Sequence, residues 1–357
     1  MSALRDRLIK KSKLKRISTL SDSFKNQKFD VAPTPIKLFN IALSGSVNGG
    51  LPGGITMLAG ESRSFKSIIA LIFVKSWMTK NPDGVVLYYE NEGGTPQAYW
   101  DMLGIDMDRV IKAEITYIEQ LRNDIVNQID VESGEMKDGE KVMIMVDSIG
   151  MIASRKELED SREGNEVEDM TRAKKLASMY RCIMPSIKQR DIPCVIINHV
   201  YKTQEKYAKD VVTGGNKNVY SPDAIWIIKK YLDKDKKEVV GNEFVINIEK
   251  SRAIKEKSKF PFKVMFNGGV HPYSGLFDTA YYEMGYITMP SNGWYSSPAT
   301  GDTKFRRADI EFDSDFWKAV FAHPTFQEAL DRTYKLGSTH LIAEEDSAHE
   351  VELEDDE

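Results

Sequence analysis

Two cysteines in 357 residues, Cys182 and Cys194, are too few for a disulfide framework. Both sit in apolar surroundings, so a pair of buried free thiols in a reducing compartment is expected. No apolar run reaches the roughly 18 residues of a membrane helix. The N-terminus also lacks a signal-peptide core, and a soluble, cytoplasmic chain with no membrane partner is expected. No fixed-period repeat is present, which sets solenoids and propellers aside. An excess of positive charge is missing too, with 49 Lys and Arg against 54 Asp and Glu and a formal net charge of −5. That excludes a polycation binding nucleic acid through its overall charge, so any nucleic-acid surface must be a local basic patch.

What is present suits a folded core. Hydrophobic residues make up 41% and charged residues 29%, enough for one large domain with appendages or two modest ones. The charge is uneven. MSALRDRLIKKSKLKR at the start carries seven Lys or Arg and one acid, whereas EEDSAHEVELEDDE at the end carries nine acids and no base. Such termini suit a protein that handles polyanions, and equally suit two solvated ends. Residues 2–16 read as a basic helix, followed by a polar linker to about residue 35. Strands are then predicted at ITMLAG (55–60), VVLYYE (85–90), VMIMVDS (142–148) and PCVIINH (193–199), followed by AIWIIKK, FVINIEK and PFKVMF. Helices are predicted between them at 66–80, 96–103, 118–129 and 167–189. Continuous apolar strands alternating with helices predict an α/β fold with a mostly parallel sheet covered on both faces. Beyond about residue 280 the texture turns aromatic and polar, then gives two amphipathic helices, DFWKAVFAH and TFQEALDRTYKLG. A small C-terminal domain is expected there.

The chemistry begins at GESRSFKS, residues 60–67. It lacks the second glycine of the phosphate-loop pattern G-x-x-x-x-G-K-[ST] and has Phe65 in that place. Its context is right, since it follows a strand and opens a helix, where backbone N–H groups can face phosphates. Gly60, Glu61, Ser62, Arg63, Ser64 and Phe65 would form the cradle. Lys66 would neutralise phosphate charge, and the Ser67 hydroxyl would ligate Mg²⁺. Phe65 is expected to take a helical backbone, with its ring turned away from the phosphates. Asp147, at the end of VMIMVD, could hold Mg²⁺ beside Ser67. Glu92, just after VVLYYE, could orient or deprotonate an attacking water. His199, after VIIN, could sense the γ-phosphate. Each reading has a bland rival: an ordinary strand–turn–helix junction, a strand-end acid at a turn, a histidine satisfied locally. The four in this order are far less probable by chance than any one.

That order resembles the RecA-type recombinases, most closely the UvsX type of T-even-type phages. The resemblance covers roughly residues 35–300 through NIALSGSVNGGLPGGITMLAG, Glu92 with Tyr99, VDSIG, INH, TGGN, EKSRAIKEKSKFPFK and NGWYS. It implies a RecA-type P-loop ATPase core over 35–275. It also implies an N-terminal polymerisation arm over 1–34, a small C-terminal α/β domain over 276–340 and an acidic tail over 341–357. By the resemblance, ATP and Mg²⁺ bind at 60–67 with Asp147, Glu92 is the catalytic glutamate and Tyr99 stacks on adenine. Lys250 and Arg252 match basic residues that reach a neighbouring subunit's ATP, like arginine fingers; the bland rival is a solvated charge pair. His199 stands where bacterial RecA has a glutamine switch.

Two DNA-facing loops are implied at about 151–167 and 200–219. The first contains Arg155, Lys156 and Arg162, diluted by five acids. The second interleaves Tyr201 and Tyr207 with Lys202, Lys206, Lys209 and Lys217, and includes Gly214, Gly215 and Asn216 of TGGN. Lysines for phosphates and aromatics for bases suit single-stranded DNA held without base readout. The implied function is an ATP-hydrolysing, filament-forming strand-exchange recombinase. Its implied partners are single-stranded DNA, homologous duplex, its own copies, a loading mediator and a single-stranded-DNA-binding protein. The rivals are a hexameric helicase, which would need a separate N-terminal helical domain, and a non-catalytic scaffold paralogue. The paralogue would be expected to have lost Lys66, Glu92 or Asp147, and all three are present.

Overall fold

The apolar runs assemble into one nine-stranded sheet in a computed structural model that describes residues 3–14, 17–26, 30–93, 95–131, 135–164, 171–203, 209–235 and 238–335. Six strands are parallel: β1 (Gly54–Gly60), β2 (Val85–Glu90), β3 (Val110–Glu114), β4 (Val142–Asp147), β5 (Pro193–Asn198) and β8 (Ala224–Asp235). Between β5 and β8 run a small hairpin, β6 (Val200–Lys202) with β7 (Asp210–Val212), and the short helix α9 (Asn216–Tyr220). Beyond β8 the sheet turns antiparallel through β9 (Glu238–Lys250), β10 (Lys259–Met265) and β11 (Gly269–Val270), giving the order β11-β10-β9-β8-β1-β5-β4-β2-β3.

β1 and β5 are buried at every residue, the signature of strands covered on both faces. Alternation divides the two coverings. Met143 and Met145 face one core with α3 (Lys37–Ser44) and α4 (Lys66–Lys80). Ile144 and Val146 face the other, with α6 (Ile118–Ile129) and α8 (Thr171–Gln189). The C-terminal part comprises α10 (Leu276–Asp278), the hairpin of β12 (Thr288–Ser291) with β13 (Trp294–Ser296), and α11 (Arg307–Ile310), α12 (Ser314–Ala322) and α13 (Pro324–Tyr334). Its Phe277, Trp317, Phe326 and Tyr334 belong to the same continuous core as α3 and α4.

Several expectations need correction. The stretch read as a linker after α1 (Ala3–Lys11) contains a second helix, α2 (Leu20–Asn26). The first stretch expected to face DNA is no plain loop. Its α7 (Arg155–Glu163) starts at a capping box in which Ser154 Oγ accepts from Glu157 N while the Glu157 carboxylate accepts from Ser154 N. The second stretch holds the β6–β7 hairpin and α9 instead of twenty structureless residues. Cys194 is buried, and burial pushes its thiol well up, but Cys182 lies on the outward side of α8 and is exposed. The acidic tail lies outside the described residues.

Candidate active site

The parallel strands end together. Across the sheet, Glu90 lies opposite Asp147 and Ala59 opposite Asn198, so the residues that follow these strands emerge along one edge. Open α/β sheets hold their ligands at this carboxyl edge.

Residues 60–67 turn from β1 into α4. Gly60 is required sterically, because a Cβ there would stand 2.6 Å from both the Ile228 carbonyl oxygen and Ser64 Oγ. Phe65 is the N-cap of α4 and makes no side-chain capping bond, leaving the first-turn N–H groups available to an anion. The expected helical backbone at Phe65 is wrong: it is left-handed, with φ 68° and ψ 9°, the conformation glycine adopts freely. The ring does turn away from the loop, packing 5.2 Å from Phe244 and 6.2 Å from Phe262 between ring centres. Packing therefore holds a bulky residue in a conformation that costs about 1–2 kcal/mol. Arg63, also left-handed, is exposed beside Glu61 and Ser62.

Lys66 is buried, and its Nζ folds onto the Glu61 carbonyl (2.7 Å), the Gly60 carbonyl (3.1 Å) and Ser64 Oγ (3.2 Å). Burial lowers its pKa, partly offset by the charges of Asp147 and Glu92. Ser67 Oγ donates to Asp147 Oδ2 at 2.8 Å, joining the two groups expected at a metal. Burial raises the Asp147 carboxyl, against the Ser67 bond. Among the described residues no cluster of His, Cys, Asp and Glu could hold a metal unaided. A hydroxyl and a carboxylate fit Mg²⁺ that takes its remaining ligands from phosphates and water.

Glu92 Oε1 accepts from Ser148 Oγ and lies 2.9 Å from His199 Nε2. Burial would raise this carboxyl, but the bonds from Ser148 and His199 and the charges of His199 and Lys66 leave it below its ordinary range. Two neighbouring acids are thus pushed in opposite directions. Ser148 and Thr95, whose Oγ1 is 3.4 Å from Asp147 Oδ2, were not singled out in the sequence, although Ser148 directly follows the strand-end acid.

Tyr99, on α5 (Gln97–Met102), opens on an apolar cleft of about 670 Å³ shared with Phe65, Ile68, Met102 and Phe266. This cleft adjoins the Phe65 side of the phosphate loop. Lys250 and Arg252 stand elsewhere. Lys250 lies opposite Ile225 and Ile225 opposite Met57, three residues before Gly60 and about 10 Å down the strand. There Lys250 Nζ donates to the Tyr220 carbonyl (2.6 Å), and Arg252 Nε pairs with Asp223 (2.6 Å). Burial and the neighbouring Arg252 lower the Lys250 pKa.

Of the DNA-facing candidates, Arg155, Lys156 and Arg162 are exposed on α7. Arg155 stacks over the Tyr117 ring and Lys156 pairs with Asp160. Tyr201 and Lys202 are exposed on β6, and Lys202 Nζ reaches Glu61 of the phosphate loop at 3.3 Å. Lys209 is exposed just before β7. Gly214 and Gly215 have φ 98° and 78°. Asn216 and Lys217 open α9, their side chains outside what the structure describes, and Lys206 and Tyr207 lie outside the described residues. No helix among the described residues is long and apolar enough to cross a membrane.

Residues 6–271 match the RecA N-terminal domain, and residues 273–330 match the C-terminal domain of the bacteriophage T4 recombination and repair protein. The recombination and repair protein of Enterobacteria phage T4 is 44% identical over 366 aligned positions, covering 100% of this chain and 90% of that protein. RecA of Ruminococcus albus is 22% identical over 88% of this chain and 74% of its own length, and RecA of Methylobacterium radiotolerans 25% over 78% and 74%. The chain therefore belongs to the RecA family and carries, after its RecA-type core, a domain that matches the C-terminal domain of the T4 recombination and repair protein.

Proposed function

We propose that the chain is an ATP-dependent DNA strand-exchange recombinase. It would form helical filaments on single-stranded DNA and pair that strand with homologous duplex, in recombination, repair and recombination-dependent replication. The carrying observation is that one sheet edge gathers Lys66, Ser67, Asp147, Glu92 and His199, and that the strand behind His199 runs directly into the exposed Tyr201 and Lys202. Lys66 would exchange its loop carbonyls for phosphate oxygens. Ser67 and Asp147 would hold Mg²⁺, which when bound neutralises charge on the β- and γ-phosphates. Glu92, kept ionised by Ser148 and His199, would take the proton of the attacking water.

Lys250 and Arg252 sit too far down the sheet for their own nucleotide, and would exchange the Tyr220 carbonyl and Asp223 for a neighbour's phosphates. The arm supports a head-to-tail contact, since α1 buries no residue of its own and exposes Leu4 and Leu8. ATP at that interface stiffens the filament and orders the DNA-facing segments; hydrolysis loosens it and releases DNA. The protein would act in the cytoplasm, alongside a loading mediator and a single-stranded-DNA-binding protein.

The test measures hydrolysis with and without single-stranded DNA, beside electron microscopy and a strand-exchange assay. DNA-stimulated hydrolysis, open helical filaments and joint molecules are expected. Closed rings that unwind duplex would assign a helicase, and DNA binding without hydrolysis a scaffold.

A further inference from the structure

Through the second DNA-facing segment runs a largely buried polar chain that the reading above leaves unused. It starts at His199, whose backbone N–H donates to Asn198 Oδ1 at 2.8 Å. Asn198 is fully buried; its Oδ1 also accepts from Thr213 Oγ1 (2.7 Å), and its Nδ2 donates to the Thr213 carbonyl (3.2 Å). Thr213 N returns a bond to the His199 carbonyl at 3.0 Å. The Thr213 carbonyl also accepts from Nδ2 of Asn218, which is 1% exposed on α9. Asn218 Oδ1 in turn accepts from the hydroxyl of Tyr180, 2.5 Å away and 2% exposed in the middle of α8. Gly214 rests on this chain, since a Cβ there would stand 2.6 Å from Asn218 Nδ2 and 2.9 Å from Leu176 Cδ1.

Each member is satisfied by the next, and in a buried network a broken bond leaves a group with no water to replace its partner. The chain therefore has one well-satisfied arrangement. At one end it holds His199, whose ring is bonded to Glu92, and at the other the glycine pair 214–215 of the DNA-facing segment. A shift of the His199 backbone moves Thr213, and Thr213 can move only with Asn218.

We propose that Tyr180 and Asn218 are positioning residues that tie the catalytic edge to the DNA-facing segment, so that DNA bound over Gly214 and Gly215 sets the place of His199 against Glu92. Neither touches the nucleotide-binding loop. The inference rests on the proposed DNA-dependent hydrolysis and names the route by which DNA governs it.

The test removes one oxygen with Tyr180→Phe and, independently, the amide with Asn218→Leu. Hydrolysis is measured without DNA and across a titration of single-stranded DNA. Near wild-type hydrolysis without DNA is expected, with the stimulation ratio reduced about fivefold or more, the scale of a modest coupling between sites. The double variant should be no worse than the more damaged single, because the two residues act as one unit. An unchanged ratio in both variants overturns the proposal. So does an equal fall of basal and stimulated rates, the mark of a merely structural role. If the wild type hydrolyses ATP with no response to DNA, the proposed function itself fails, and that outcome is read without any variant.

Discussion

The phosphate loop divides two regions built by different means. On one side stand Asp147, Glu92, Ser148 and His199, each ending or following a strand whose register with its neighbour is fixed by backbone bonds. On the other, Phe65 is held by ring packing against Phe244 and Phe262, and with Tyr99 it lines an open apolar cleft. Proton transfer needs groups placed within hydrogen-bond reach of each other, and strand register supplies that placement. An apolar cleft needs shape and apolar surface, which aromatic packing supplies even while it holds Phe65 in a left-handed backbone. Substitutions on the polar side should therefore reduce turnover with little loss of stability, and those on the aromatic side should do the reverse.

The largest test is Glu92→Gln, which keeps the shape and removes the base. Turnover should fall by about 10²–10⁴, the usual worth of a positioned base, while nucleotide affinity is retained. Normal hydrolysis would remove Glu92 from the mechanism. Next is a pair of substitutions at Phe65, read by thermal or denaturant unfolding. Phe65→Ala loses the ring contacts and keeps the left-handed strain, whereas Phe65→Gly loses the contacts and relieves the strain. The glycine variant should be the more stable by about 1 kcal/mol, reversing the usual helix preference for alanine. If alanine proves the more stable, the backbone at residue 65 is not left-handed. The smallest expected effect is that of Ser148→Ala on the pH profile. Ser148 and His199 hold the Glu92 carboxyl low, so losing the Ser148 bond raises its pKa. The acid limb of hydrolysis, where Glu92 becomes protonated, should then move to higher pH. An unmoved limb would separate Ser148 from the tuning of Glu92.

Much of the core was legible. α4, β2 and α6 have the bounds their residue patterns predict, because each is a long apolar or periodic run. β3 was missed: VIKAE is a half-exposed edge strand with neither an apolar run nor clean alternation. α3 was missed because KLFNIALS is only eight residues, barely two turns, too short a run for a helical period to stand out. α7 is legible in principle, since SRKE spells a capping box, but its many acids mask that signal in a stretch expected as a loop. The left-handed Phe65 was not legible, for the stabilising contacts come from Phe244 and Phe262, nearly two hundred residues away. The polar tie through Asn198, Thr213, Asn218 and Tyr180 was likewise hidden, because no local spacing announces a bond between α8 and α9.

The separation of Lys250 from Lys66 along the sheet has a consequence for any assembly built on it. If each nucleotide site is finished by the next subunit, a row of subunits contains one fewer finished site than it has members. The unfinished one always lies at the same end. The two ends of the row are then chemically unlike, so subunits join and leave them at different rates. The shortest rows lose the largest share of their hydrolytic capacity, and turnover per subunit becomes a measure of length.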